Sequence, residues 1–166
     1  MIKNDVLKGY ESYWNGWEWE WFVTLNLKNN EYSQSLKYFT ISLCITENIQ
    51  VAYDGVLVNG PQPHLHILMI GHNRFGKSLF DVTPHIWERR WLAVTHQEAK
   101  IIPVYDNAGV ISYIVWQNMA RYRHESLVAY NRKMLESNMT DYQKKNIGKK
   151  ATENEPDISL DEHNNA

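Results

Sequence analysis

IQVAYDGVLVNGPQPHLHILMIGH, residues 49–72, decides the fold. Ile49 to Val58 is rich in β-branched and apolar residues, Asn59-Gly60-Pro61 is strong turn chemistry, and Leu65 to Ile70 is a second apolar run. Two such runs across one turn predict an antiparallel strand pair over 49–71. In the return strand His64 and His66 stand two residues apart, so both imidazoles face one side of the sheet. Two titratable rings on an apolar strand either bind something or are hydrogen-bonded residents of a half-buried face.

Upstream, WEWEWFVTLNL (17–27) alternates large apolar and polar residues and predicts a strand, with Trp17, Trp19 and Trp21 on one face. That stripe suits either core packing or base stacking. Tyr32 to Thr46 has Leu36, Phe39 and Leu43 at helical spacing, with Ser33 as N-cap. Downstream, Thr83-Pro84 opens a helix carrying Ile86, Trp87, Trp91, Leu92 and Val94. Lys100 to Tyr105 is a short strand, Asp106-Asn107-Ala108-Gly109 leads into a helix through Tyr113, and a second helical segment covers about 121–137. The order β-α-β-β-α-β-α predicts an α+β fold, an antiparallel sheet with helices packed on one face in a ferredoxin-like arrangement.

The 166 residues suffice for one core-bearing domain, taken as 1–140. Net charge is −2, unevenly spread: residues 121–150 carry eight Lys or Arg against three acids, and 151–166 carry five acids and no Lys or Arg. A basic-then-acidic tail over 141–166 is expected to be disordered. The overall charge does not mark a nucleic-acid binder, but the basic stretch can meet phosphates. Cys44 stands alone, which excludes an internal disulfide and suits a reducing, cytoplasmic setting. No run is long enough to span a membrane.

A metal site built on two imidazoles needs a further ligand. Tyr113 and Gln117 stand at i and i+4, about 6 Å apart on one face of a helix. A phenol can act as a nucleophile where a metal polarises its target, and an amide oxygen suits Mg²⁺ or Mn²⁺. Spacing alone favours the ordinary reading, in which Tyr113 packs on the sheet and Gln117 faces water. GHNRFGKS (71–78) meets the phosphate-loop pattern, but Asp81-Val82-Thr83-Pro84 would stop the required helix after about one turn. Arg74 and Lys77 are instead expected on a loop that touches DNA backbone.

WFVTLNL (21–27), PHLHILMIG (63–71) and SYIVWQ (112–117), in that order, resemble the strand, His-hydrophobic-His and tyrosine motifs of the HUH endonucleases, especially rolling-circle replication initiators of plasmids and viruses. The resemblance covers about residues 17–120. It implies that His64, His66 and Gln117 hold a divalent ion, Mn or Mg, that polarises a phosphate of single-stranded DNA. Tyr113 would attack that phosphorus, join the 5′ end and free a 3′-OH. Arg74, Lys77, Arg121 and Arg123 would contact the strand, with a separate helicase and host replication proteins as partners. Two positions depart from the family pattern. The stretch VLVNGPQP has no acidic ligand, and Trp116 stands where many members have Lys three residues after the tyrosine. The Tyr-x-x-x-Gln spacing is similar to that of the single-tyrosine transposases, which remain an alternative, as does a non-catalytic single-strand-binding domain.

Overall fold

The computed structural model describes residues 4–29 and 31–139; the tail expected over 141–166 lies outside the described residues. Helix α1 (Asn4–Trp14) precedes β1 (Trp21–Asn26), α2 (Ser33–Glu47), β2 (Gln50–Asn59) and β3 (His64–His72). A 3₁₀ turn (Leu79–Asp81) leads to α3 (Pro84–Thr95) and β4 (Ala99–Pro103). Then follow α4 (Asn107–Ser112), a π-helix (Tyr113–Met119), β5 (Arg123–Ser126) and α5 (Arg132–Ser137). Every ladder is antiparallel, in the order β4-β1-β3-β2-β5. Each crossover, β1-α2-β2 and β3-α3-β4, skips one strand, as in the split βαβ unit, so the α+β, ferredoxin-like expectation holds.

Alternation along the strands divides the apolar side chains between two layers. Trp21, Val23, Leu25, Leu65, Ile67 and Met69 face α2 and α3, meeting Leu36, Phe39, Leu43, Trp87 and Trp91. Burial of each such large side chain contributes about 1.5–3 kcal/mol. The other face carries Phe22, Val56, Val58, Leu68 and Ile70 against α1, α4, the π-helix and α5, with Trp14, Ile111, Ile114, Val115 and Leu135 among the buried contacts. Helices therefore cover both faces, not one.

Three expectations fail locally. Helix α1, not anticipated from the sequence, buries Leu7 and Trp14 on the second face. The strand expected from residue 17 begins only at Trp21. Residues 17–20 form a connection held by Asn107, whose Nδ2 donates to the Trp17 carbonyl (2.8 Å) and whose Oδ1 accepts from the Trp19 amide (3.1 Å). Trp17 and Trp19 thus pack with α1, their indole N–H groups donating to the carbonyls of Leu135 (2.7 Å) and Trp14 (2.9 Å), while Trp21 lies in the opposite layer. All three are core and none is a base-stacking surface. Lastly, the helix expected over 121–137 is split. Arg123–Ser126 pairs with the free edge of β2, and only Arg132–Ser137 is helical. An open sheet edge offers those backbone groups partners that a helix pattern does not foresee.

Gly55 is a packing requirement. A Cβ there would lie 2.2 Å from the His66 carbonyl oxygen, so only glycine lets β2 close on β3. Among the described residues no helix is long and apolar enough to cross a membrane.

Candidate active site

The register of β1 on β3 sets Thr24 opposite His66 and Asn26 opposite His64, and all four residues line one open cleft of about 900 Å³. The cleft is completed by the β2–β3 turn (Gly60, Pro61, Gln62), by Lys100 and Ile102 of β4, and by Tyr113, Asn118 and Tyr122. It lies where the second face of the sheet emerges from under its helices.

His64 Nδ1 lies 2.9 Å from the Gln62 carbonyl oxygen. A carbonyl only accepts, so this nitrogen carries the proton and Nε2 of the neutral ring is a lone pair. His66 Nδ1 meets the Thr24 hydroxyl at 3.1 Å, and its Nε2 faces His64 Nε2 at 3.1 Å with the rings nearly perpendicular (79°). His66 is 2% exposed. Burial, then the neighbouring His64, push its pKa down from 6.5 to about 4, with Asn118 acting the other way. The ring is therefore neutral at pH 7, the form a metal ligand requires.

The donor set fits a divalent cation. An ion about 2.1 Å from each nitrogen spans an N···N edge of about 3.0 Å at a right angle and about 3.4 Å at a tetrahedral angle. The observed 3.1 Å lies between these values. The hydrogen bonds on both Nδ1 atoms are the outer support that orients histidine ligands. Among the described residues no third His, Cys, Asp or Glu joins the pair, so a further protein ligand must be an amide or hydroxyl oxygen.

Tyr113 stands at the junction of α4 and the π-helix. Asp106 caps α4, its carboxylate accepting from the Gly109 amide at 3.0 Å. The Tyr113 ring is 42% exposed, with its centroid 5.8 Å from that of His66 and 6.1 Å from that of Phe22. From here the backbone widens to i→i+5 bonding, as in the 2.9 Å bond from the Ala120 amide to the Val115 carbonyl. That change decides which residue joins the histidines. Gln117 is exposed and does not line the cleft, whereas Asn118 is 7% exposed and does. Asn118 Nδ2 donates to the Tyr113 carbonyl at 3.1 Å, and its amide shares the cleft with His66. Of the two neighbouring amides, Asn118 and not Gln117 thus shares the cleft with the histidines.

The basic residues separate into two groups. Arg121 and Arg123 are exposed on either side of Tyr122, and Arg123 pairs with Asn59 at the end of the sheet where Val58 meets His64. They stand at the rim of the cleft without lining it. Arg74 and Lys77 follow the far end of β3, eight residues from His64 to His72, or roughly 26 Å of strand. Neither reaches the cleft. Lys77 Nζ instead pairs with Glu47 at 2.7 Å, and Arg74 lies over the Phe75 ring. The phosphate-loop pattern there is a turn closed by Asn73 Oδ1, which accepts from the amides of Phe75 and Lys77. Only the three-residue 3₁₀ turn follows it, so no helix N-terminus faces a phosphate.

Thr24, Lys100, Asn118 and Tyr122 also line the cleft, and the sequence motifs pointed to none of them. Strand alternation carried a signal for Thr24; the π-helix left none for Asn118. No family model matches this chain, and neither a curated protein nor a solved structure matches it.

Proposed function

We propose that the protein is a metal-dependent enzyme that nicks and rejoins single-stranded DNA through a 5′-phosphotyrosine, to initiate rolling-circle replication. One observation carries the reading: the Tyr113 phenol, two facing imidazole Nε2 atoms and a buried amide share one open cleft. The order of the strand, histidine and tyrosine motifs supports replication as the setting.

His64, His66 and Asn118 would hold the divalent ion, Mn or Mg, which when bound supplies Lewis-acid polarisation of the scissile phosphate. Tyr113 loses its phenolic proton to solvent and forms the new O–P bond. The P–O3′ bond breaks, the departing oxygen takes a proton, and the 5′ phosphate stays on the tyrosine. Attack by a 3′-OH on the phosphotyrosine reverses these steps, so the phosphodiester energy is retained and joining needs no further energy source. Duplex opening would fall to a separate helicase and host replication proteins.

The test is incubation with pooled single-stranded oligonucleotides and Mn²⁺, followed by denaturing gel electrophoresis and mass spectrometry. A covalent adduct on Tyr113 is expected, abolished by EDTA and by Tyr113→Phe, with DNA binding retained in that variant. Binding without an adduct across a broad pool would reduce the protein to a binding module. An adduct that survives Tyr113→Phe would refute the nucleophile assignment. Joining of paired transposon ends in preference to a hairpin origin would favour transposition.

A further inference from the structure

Lys100 is exposed on β4 and is the only Lys or Arg among the described residues that line the cleft. The two ladders of β1 put it in a row: Lys100 opposite Thr24, and Thr24 opposite His66. Directly opposed residues share a sheet face, so the lysine stem, the hydroxyl and the imidazole rise side by side. Two strand spacings separate the Lys100 and His66 Cα atoms by roughly 10 Å, and a flexible four-carbon stem covers much of that distance. Among the described residues no acid is paired with this ammonium. The ion pairs among the described residues are Lys77–Glu47 and His85–Glu88, and the Oδ1 of Asp106, the acid lining the cleft, accepts from the Gly109 amide. Meanwhile α4 and the π-helix that carry Tyr113, residues 107–119, contain no Lys or Arg.

We infer that Lys100 is the phosphate-positioning residue of this cleft, its ammonium gripping a non-bridging oxygen of the phosphodiester presented to Tyr113. The cation comes from the edge strand of the sheet, across Thr24, and not from the helix that carries the nucleophile. This assignment rests on the single-strand nicking reading above and is tested apart from it.

Lys100→Gln, Lys100→Arg and Lys37→Gln are compared with the wild type. Lys37 is an exposed charge on α2, over the opposite face of the sheet, and serves as control. Binding of a labelled mixed-sequence single-stranded oligonucleotide is titrated in EDTA over a range of NaCl concentrations, with thermal melts to establish folding. Losing one phosphate contact should make the slope of log K against log[salt] shallower by about 0.7 in Lys100→Gln. Lys100→Arg should restore the slope and Lys37→Gln leave it unchanged. With Mn²⁺, adduct formation should fall roughly 100-fold in Lys100→Gln. Equal slopes for wild type and Lys100→Gln overturn the assignment, and failure of the wild type to bind overturns it together with the DNA reading. The expected slopes without any wild-type adduct support Lys100 as a phosphate contact and remove the cleavage reading alone.

Discussion

Acid should destabilise this protein through His66. Its folded pKa, about 4, lies below the unfolded value of 6.5, so the unfolded chain takes up the proton first. The stability that His66 contributes is complete above pH 6.5 and drains away as the pH falls toward 4. At 1.36 kcal/mol per pKa unit, the full loss is about 3 kcal/mol, and roughly 2–3 kcal/mol is gone by pH 4.5. The ring is 2% exposed, so solvent screening takes little from this figure. Glu20 and Asp54 act in the opposite sense, because burial raises both carboxyl pKa values and folding then favours their protonated forms. A difference measurement cancels them. Urea denaturation of wild type and His66→Gln at pH 7.5 and 4.5, both in EDTA, isolates the imidazole. The wild type should lose roughly 2–3 kcal/mol more than the variant over that interval. Equal losses, within about 0.5 kcal/mol, would mean that His66 is solvated and free to charge, contrary to its buried place beside His64.

Two substitutions separate the π-helix geometry from the α-helical reading of the same residues. Asn118→Ala removes the partner of the Tyr113 carbonyl and of His66, and should cost about 1–3 kcal/mol in urea denaturation and weaken Mn²⁺ binding roughly 10- to 100-fold. Gln117→Ala, on the exposed side, should stay within about 0.5 kcal/mol and leave Mn²⁺ binding, followed by electron paramagnetic resonance, unchanged. The reverse order of effects would restore Gln117 as the ligand. Gly55→Ala drives a methyl to 2.2 Å from the His66 carbonyl oxygen, so β2 and β3 must part and stability should fall by about 3 kcal/mol or more. A loss under about 0.5 kcal/mol, measured by chemical denaturation, would contradict that close approach.

Local chemistry made much of the fold legible. Asn59-Gly60-Pro61 between two apolar runs set the central hairpin, Pro84 opened α3, and the spacing of Leu36, Phe39 and Leu43 marked α2. Period-two alternation by itself placed His64 and His66 on one face, and the register of β1 then set Thr24 beside them. These features depend on residues near one another in the chain. Two of the failures depend on distant partners. Arg123–Ser126 is a strand because β2 has an open edge, and Trp17 and Trp19 leave the strand pattern because Asn107, Leu135 and Trp14 hold them. Most consequentially, one stretch of i→i+5 bonding beneath the sheet turned Asn118 in and Gln117 out. A sequence states which side chains are available, and strand alternation assigns them a face. Which of two neighbouring amides meets an imidazole depends on how wide a helix turn becomes when it packs, and only the folded chain decides that.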